Sequence, residues 1–211
     1  MTRRPNARIS GQYDGGGMWM AAISAAVTGL DNRKVGMWIF LGSDCMFFGS
    51  LIGTYLAYKG KSLSGPTPYD VFNIPLTSYS AALLLASSLT MVIALTRLQE
   101  NHVKAAAGWL IATAAMGLHF VLNQVYEFWS FAVHEGLTLS TSLFGSSFFV
   151  LTGFHGAHVT LGVVWLSILV ALAFRGKLDA RDYTKVEIAG LYWHFVDIVW
   201  IAIFTIIYLI P

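Results

Sequence analysis

The sequence predicts an all-α membrane protein, a bundle of five transmembrane helices with its N-terminus cytoplasmic and its C-terminus outside. Three observations lead there. Hydrophobic residues make up 56% of the 211 residues and charged residues only 11%, against about 25% charged in an ordinary soluble domain. Five apolar runs are each long enough to cross a hydrocarbon core of roughly 30 Å. Lysine and arginine are also segregated. Of 13 such residues, all but Lys59 and Lys61 fall in segments that this arrangement places inside, as the positive-inside rule requires.

The first 34 residues stand apart as a cytoplasmic or interfacial segment. MTRRPNARIS is basic, but Asp14 and Gly15 to Gly17 follow where a signal peptide needs an apolar core. The next apolar stretch, Met18 to Leu30, spans about 20 Å as a helix, too short to cross, and Trp19 suits it to the membrane surface.

Residues 35–211 form the membrane domain, with spans at Val35–Tyr58, Ser78–Leu98, Ala105–Trp129, Leu143–Phe174 and Val186–Ile210. Gly65-Pro66-Thr67-Pro68 and Pro75 make Lys59–Thr77 an irregular loop. The fourth span is longer than a perpendicular crossing needs, so it tilts or protrudes. Its Gly145, Gly153, Gly156 and Gly162 allow close helix approach. Cys45 is the single cysteine, which excludes an intramolecular disulfide framework, and its apolar surroundings suggest a buried, inert thiol.

The ionisable residues inside the spans carry the functional information, because an Asp at the centre of a bilayer costs roughly 2.5–3.5 kcal/mol. They are Asp44 in the first span, His119 and Glu127 in the third, His155 and His158 in the fourth, and Glu187, His194 and Asp197 in the fifth. Steps of seven and three put Glu187, His194 and Asp197 on one helix face, which should meet protein, lipid headgroup or water. Counted from the cytoplasmic ends, Asp44 and His194 lie at about 12 Å and Asp197 at about 16 Å, so bonds among spans one, four and five are within reach. Each residue also has a structural reading. Asp44 is a proton carrier or an acid bonded to a neighbouring helix. His155 and His158 form an HxxH pair that suggests metal or haem, although histidines bonded across a glycine-lined contact are more common. Glu127, one turn after Gln124, reads as a hydrogen-bonding cluster. Glu187 complements the dipole at a helix start. Trp193 and Trp200 are packing or headgroup residues.

No Gly-rich phosphate loop, thiol cluster or nucleophile–base motif is present in the sequence, and nothing argues for nucleic acid. On these residues alone, three classes stay open. One is a structural bundle with buried polar contacts. A second is a membrane cytochrome b with haem held by histidines, His119 and His158 being the best-matched pair in depth. The third is a small proton-coupled transporter using Asp44, Glu187 and His194.

The motifs add a resemblance. GSSFFVLTGFHGAHVTLGV (Gly145 to Val163) and VEIAGLYWHFVDIVWIAIFTIIYL (Val186 to Leu209) resemble the two signature regions of subunit III of haem–copper terminal oxidases. GMWIFLGSDCMFFGSLIGTYLAY (Gly36 to Tyr58) is similar to that family's acidic-residue helix, and NIPLTSYSAALLLASS and FVLNQVYEFW to its intervening helices. The family commonly has glutamate where this chain has Asp44, and longer members carry two further helices in front, so this chain is similar to the five-helix bacterial form. The resemblance implies a subunit of an oxygen-reducing translocase in the bacterial inner membrane with no catalytic residue and no metal of its own. Haem and copper would belong to subunit I and subunit II, structural phospholipid would bind here, and a larger respiratory supercomplex is open. It implies that Asp44, His155, His158, Glu187, His194 and Asp197 form the subunit's polar framework, and with Glu127 these are the candidates for a proton-linked role. Arg175 and Trp193 are candidates for phospholipid. Quinol oxidase and nitric oxide reductase systems carry related subunits, so the electron donor stays open.

Overall fold

The structure, a computed structural model, describes residues 31–61 and 74–210. The stretch Met18–Leu30, expected at the membrane surface, lies outside the described residues. Five helices follow in order: α1 Asn32–Tyr58, α2 Ile74–Gln99, α3 Val103–His134, α4 Leu143–Phe174 and α5 Tyr183–Phe204. A 3₁₀ turn at Ala180–Asp182 leads into α5, and a wider π turn at Thr205–Leu209 extends it. All five are long and apolar enough to cross a membrane, in accord with the predicted all-α bundle of five transmembrane helices.

Local chemistry sets the ends. Pro75, read from sequence as part of the loop, sits in the first turn of α2, where its missing N–H has no intrahelical partner to lose. Ser142 caps α4, its hydroxyl accepting from the Gly145 N–H at 3.0 Å. The chain leaves α2, α3 and α4 through Asn101, Gly136 and Gly176, with φ of 63°, 62° and 66°, the left-handed turn that stops a helix. α3 runs past the expected Trp129 to His134 because Phe131 is still buried, packed on Phe148.

Helices α2 to α5 close into a ring: α2 touches α3 and α5, and α4 touches the same two from the opposite corner. Phe120, Phe148, His155, Trp200 and Tyr208 fill the middle. α1 lies against α4 and α5 along a single seam. Leu41, Phe48 and Tyr55, spaced by seven, are its buried residues. Phe48 packs edge-on to His155 and His158, Phe47 to Phe154, and Phe40 meets Tyr192. Much of the remaining surface of α1 faces outward. That includes Cys45, which the sequence reading had buried but which is exposed. It is also true of Gly42, Gly49 and Gly53, where an added Cβ would meet nothing within 4 Å.

Candidate functional site

Many of the polar side chains inside the spans form a framework of contacts that join two helices. α5 docks on a serine pair of α2. Ser88 Oγ donates to Asp197 Oδ2, His194 Nδ1 lies 3.1 Å from the same Ser88 Oγ, and Trp193 Nε1 donates to Ser87 Oγ at 2.8 Å. The Glu187–His194–Asp197 face thus meets protein for most of its length, and Asp197 is 3% exposed. The partners come from α2, not from α1 and α4 as depth had suggested. α5 starts at Tyr183, so Glu187 sits beyond the first turn and its expected role at the helix start does not arise. It lines a groove with Met91, Gly190 and His194 instead.

α1 and α4 are joined by Asp44 Oδ2 and His158 Nε2, 3.4 Å apart. His158 Nδ1 lies 2.7 Å from the Phe154 carbonyl, which can only accept, so Nδ1 carries a proton. Across 3.4 Å, the Asp44 and His158 side chains meet without a hydrogen bond to Asp44 Oδ2 among the described residues.

At the end of the bundle near Tyr55 and Tyr208, Glu127 of α3 accepts from the Thr77 hydroxyl of α2, and Gln124 Nε2 donates to the Thr152 carbonyl of α4 at 2.6 Å. Along the same α2–α3 seam, Asn123 Nδ2 donates to Ser80 Oγ and the hydroxyls of Thr90 and Thr113 meet, each across 2.8 Å. Tyr192 of α5 donates to the His158 carbonyl of α4 at 2.9 Å. Such bonds in a membrane contribute about 0.6 kcal/mol each on average, so the framework acts through its number and through fixing register.

Two predicted residues prove to be core. Trp193 is 1% exposed and wedges between two helices. An ideal Cβ at Gly162 of α4 would fall 2.8 Å from its ring carbons, and one at Gly117 of α3 closer still. This burial removes it from any lipid-facing surface and corrects its expected role there. His155 is fully buried, stacked on Trp200 with centroids 4.9 Å apart and edge-on to Phe120. Neither of its ring nitrogens has a hydrogen-bond partner among the described residues.

The histidines do not converge. His119 of α3 bonds Asn123 and packs on Tyr79 of α2, whereas His158 is turned to α1, so the facing pair that a cytochrome b requires is not formed. Among the described residues, no group of three His, Cys, Asp or Glu could hold a metal ion. Arg175 is exposed just past α4, at its C-terminal cap. Gly156 is pressed against Gln124 and Gly145 against Thr138, while Gly153 meets only Phe128 at 3.9 Å, an ordinary contact. The sequence reading missed Ser87, Ser88, Thr77, Thr113 and Gly117. Hydroxyls and glycines barely alter hydropathy, and only a charged residue stands out from an apolar run.

Comparison with known proteins agrees with this architecture. The family described as Cytochrome c oxidase subunit III matches residues 21–210. The chain is 39% identical to the cytochrome c oxidase subunit 3 of Alkalihalophilus pseudofirmus over 84% of this chain and 86% of that protein. It is 43% identical to the quinol oxidase subunit 3 of Bacillus subtilis over 83% and 85%. It is 36% identical to the cytochrome bo(3) ubiquinol oxidase subunit 3 of Pseudomonas aeruginosa over 84% and 85%. With five membrane-spanning helices and bacterial oxidase subunits as relatives, it is a multi-pass protein of the inner membrane, and it belongs to the subunit III family of the haem–copper terminal oxidases.

Proposed function

We propose that this chain is the non-redox subunit III of a respiratory haem–copper oxygen reductase, lying against catalytic subunit I in a complex that also holds subunit II. Its N-terminus is cytoplasmic, residues 1–34 form a surface segment, and residues 35–211 form the membrane domain. Haem and copper reside in the partners, and electrons come from cytochrome c or quinol according to those partners. The chain binds phospholipid, with Arg175 placed to fork onto a phosphate, and it supports proton uptake and sustained turnover by holding the catalytic subunit's flank in one geometry.

The observation that carries this reading is how the intramembrane polar groups are used. Asp44, His158, Glu127, His194 and Asp197 each make a contact between two helices, which suits a rigid organising subunit. A tagged copy of the chain, expressed in its host and purified in mild detergent, tests it. Haem-bearing oxidase subunits are expected to co-purify at one-to-one stoichiometry. Recovery of the chain free of them, or with a Soret band of its own, overturns the assignment.

A further inference from the structure

Between α1 and α5 runs a groove of about 360 Å³, walled by Trp38, Leu41 and Gly42 on one side and Leu191, His194 and Phe195 on the other. Trp38, 61% exposed, marks its open rim. The walls are apolar except for His194 and the Cys45 thiol. The volume falls within the usual range for small-ligand sites, about 300–1,000 Å³.

The hydrogen bonds behind His194 decide what it offers. With Asp197 ionised, Ser88 gives its one proton to the carboxylate. Its oxygen can then only accept from His194 Nδ1, at 3.1 Å, which places the imidazole proton on Nδ1. Nε2 of the neutral ring keeps a lone pair, and it has no hydrogen bond to any of the described residues. A groove open to lipid thus ends in a fixed acceptor set among aromatic and aliphatic walls. An acyl chain has no donor for it, and an oxidised quinone presents only carbonyl acceptors. A hydroquinone ring brings a flat aromatic body, a donating hydroxyl and a hydrocarbon tail.

We propose that the α1/α5 groove binds a quinol, one ring hydroxyl donating to His194 Nε2 and the tail passing Trp38 into the bilayer.

The test uses the intact complex and a menaquinone analogue carrying a diazirine beside the ring, offered oxidised or borohydride-reduced under argon. A phosphatidylglycerol with the diazirine in an acyl chain runs in parallel. After photolysis, the labelled peptides are mapped. The reduced probe is expected to mark residues 38–45 and 191–198 at least about fivefold more than the oxidised one, the worth of one hydrogen bond. Gly42→Leu fills the groove from a position where a Cβ meets nothing within 4 Å, so the complex should assemble with its haems and lose this labelling. His194→Phe keeps the volume and should bring the reduced probe down to the oxidised level. Equal labelling by both redox forms, no labelling, or phospholipid labelling that quinol does not displace overturns the proposal. Co-purifying subunits and the haem spectrum report separately on the oxidase assignment.

Discussion

The indole N–H of Trp193 reaches Ser87 Oγ across 2.8 Å while its ring fills the space above Gly162. One side chain of α5 therefore fixes both the azimuth of α5 on α2 and its distance from α4. In lipid, where apolar burial drives helix association little, close packing and interhelical bonds carry the contact. Gly162→Ala forces a methyl into the ring and should cost about 1–3 kcal/mol. Ser87→Ala removes only the bond and should cost about 0.6 kcal/mol. Thermal release of the subunit from the purified complex checks the order. A larger effect from Ser87→Ala would contradict the seat as the dominant contact.

Asp44→Asn should leave assembly nearly intact, because an amide N–H can still donate toward His158 Nε2. Asp44→Leu removes both donor and acceptor and should lower subunit retention. In assembled Asp44→Asn enzyme, proton translocation per electron, read in reconstituted vesicles, should match the parent. A translocation defect without assembly loss would assign Asp44 a proton-carrying role.

His155→Phe replaces a ring that makes no hydrogen bond by one of similar shape against Trp200 and Phe120. Replacing unpaired buried polar atoms with apolar ones is neutral or stabilising. The variant should accumulate at parental levels with an unchanged haem spectrum. Loss of haem would reinstate a ligand role.

Depleting the subunit should leave the haem spectra of the remaining complex unchanged while activity decays faster during continuous turnover. The decay is followed as oxygen consumption over time. Lost haem, or full activity through prolonged turnover, would contradict a stabilising role.

Fold class was legible because a membrane crossing is written in length and hydropathy, and all five helices followed. Ends were less so. Pro75 read as loop, yet a first helical turn accepts it, and Trp129 looked like a span end although Phe131 is still packed. The face shared by Glu187, His194 and Asp197 was legible from spacing alone, but its counterpart was not, since Ser87-Ser88 leaves no trace in a hydropathy pattern. Depth counting put a contact between spans one and four within reach, and Asp44 does lie 3.4 Å from His158, but it gave no hint of the partners that the α5 face finds on α2.

The single seam of α1 has a consequence for the order of biosynthesis. α1 is the first of the five helices to be made, but its contacts come from Phe144, His155, His158 and Tyr192, all on the last two. Until α4 enters the bilayer, Asp44 has no His158 to meet and α1 has no face to close against. Most of that seam lies on α4, so the helix synthesised first has to wait for the fourth before it can dock.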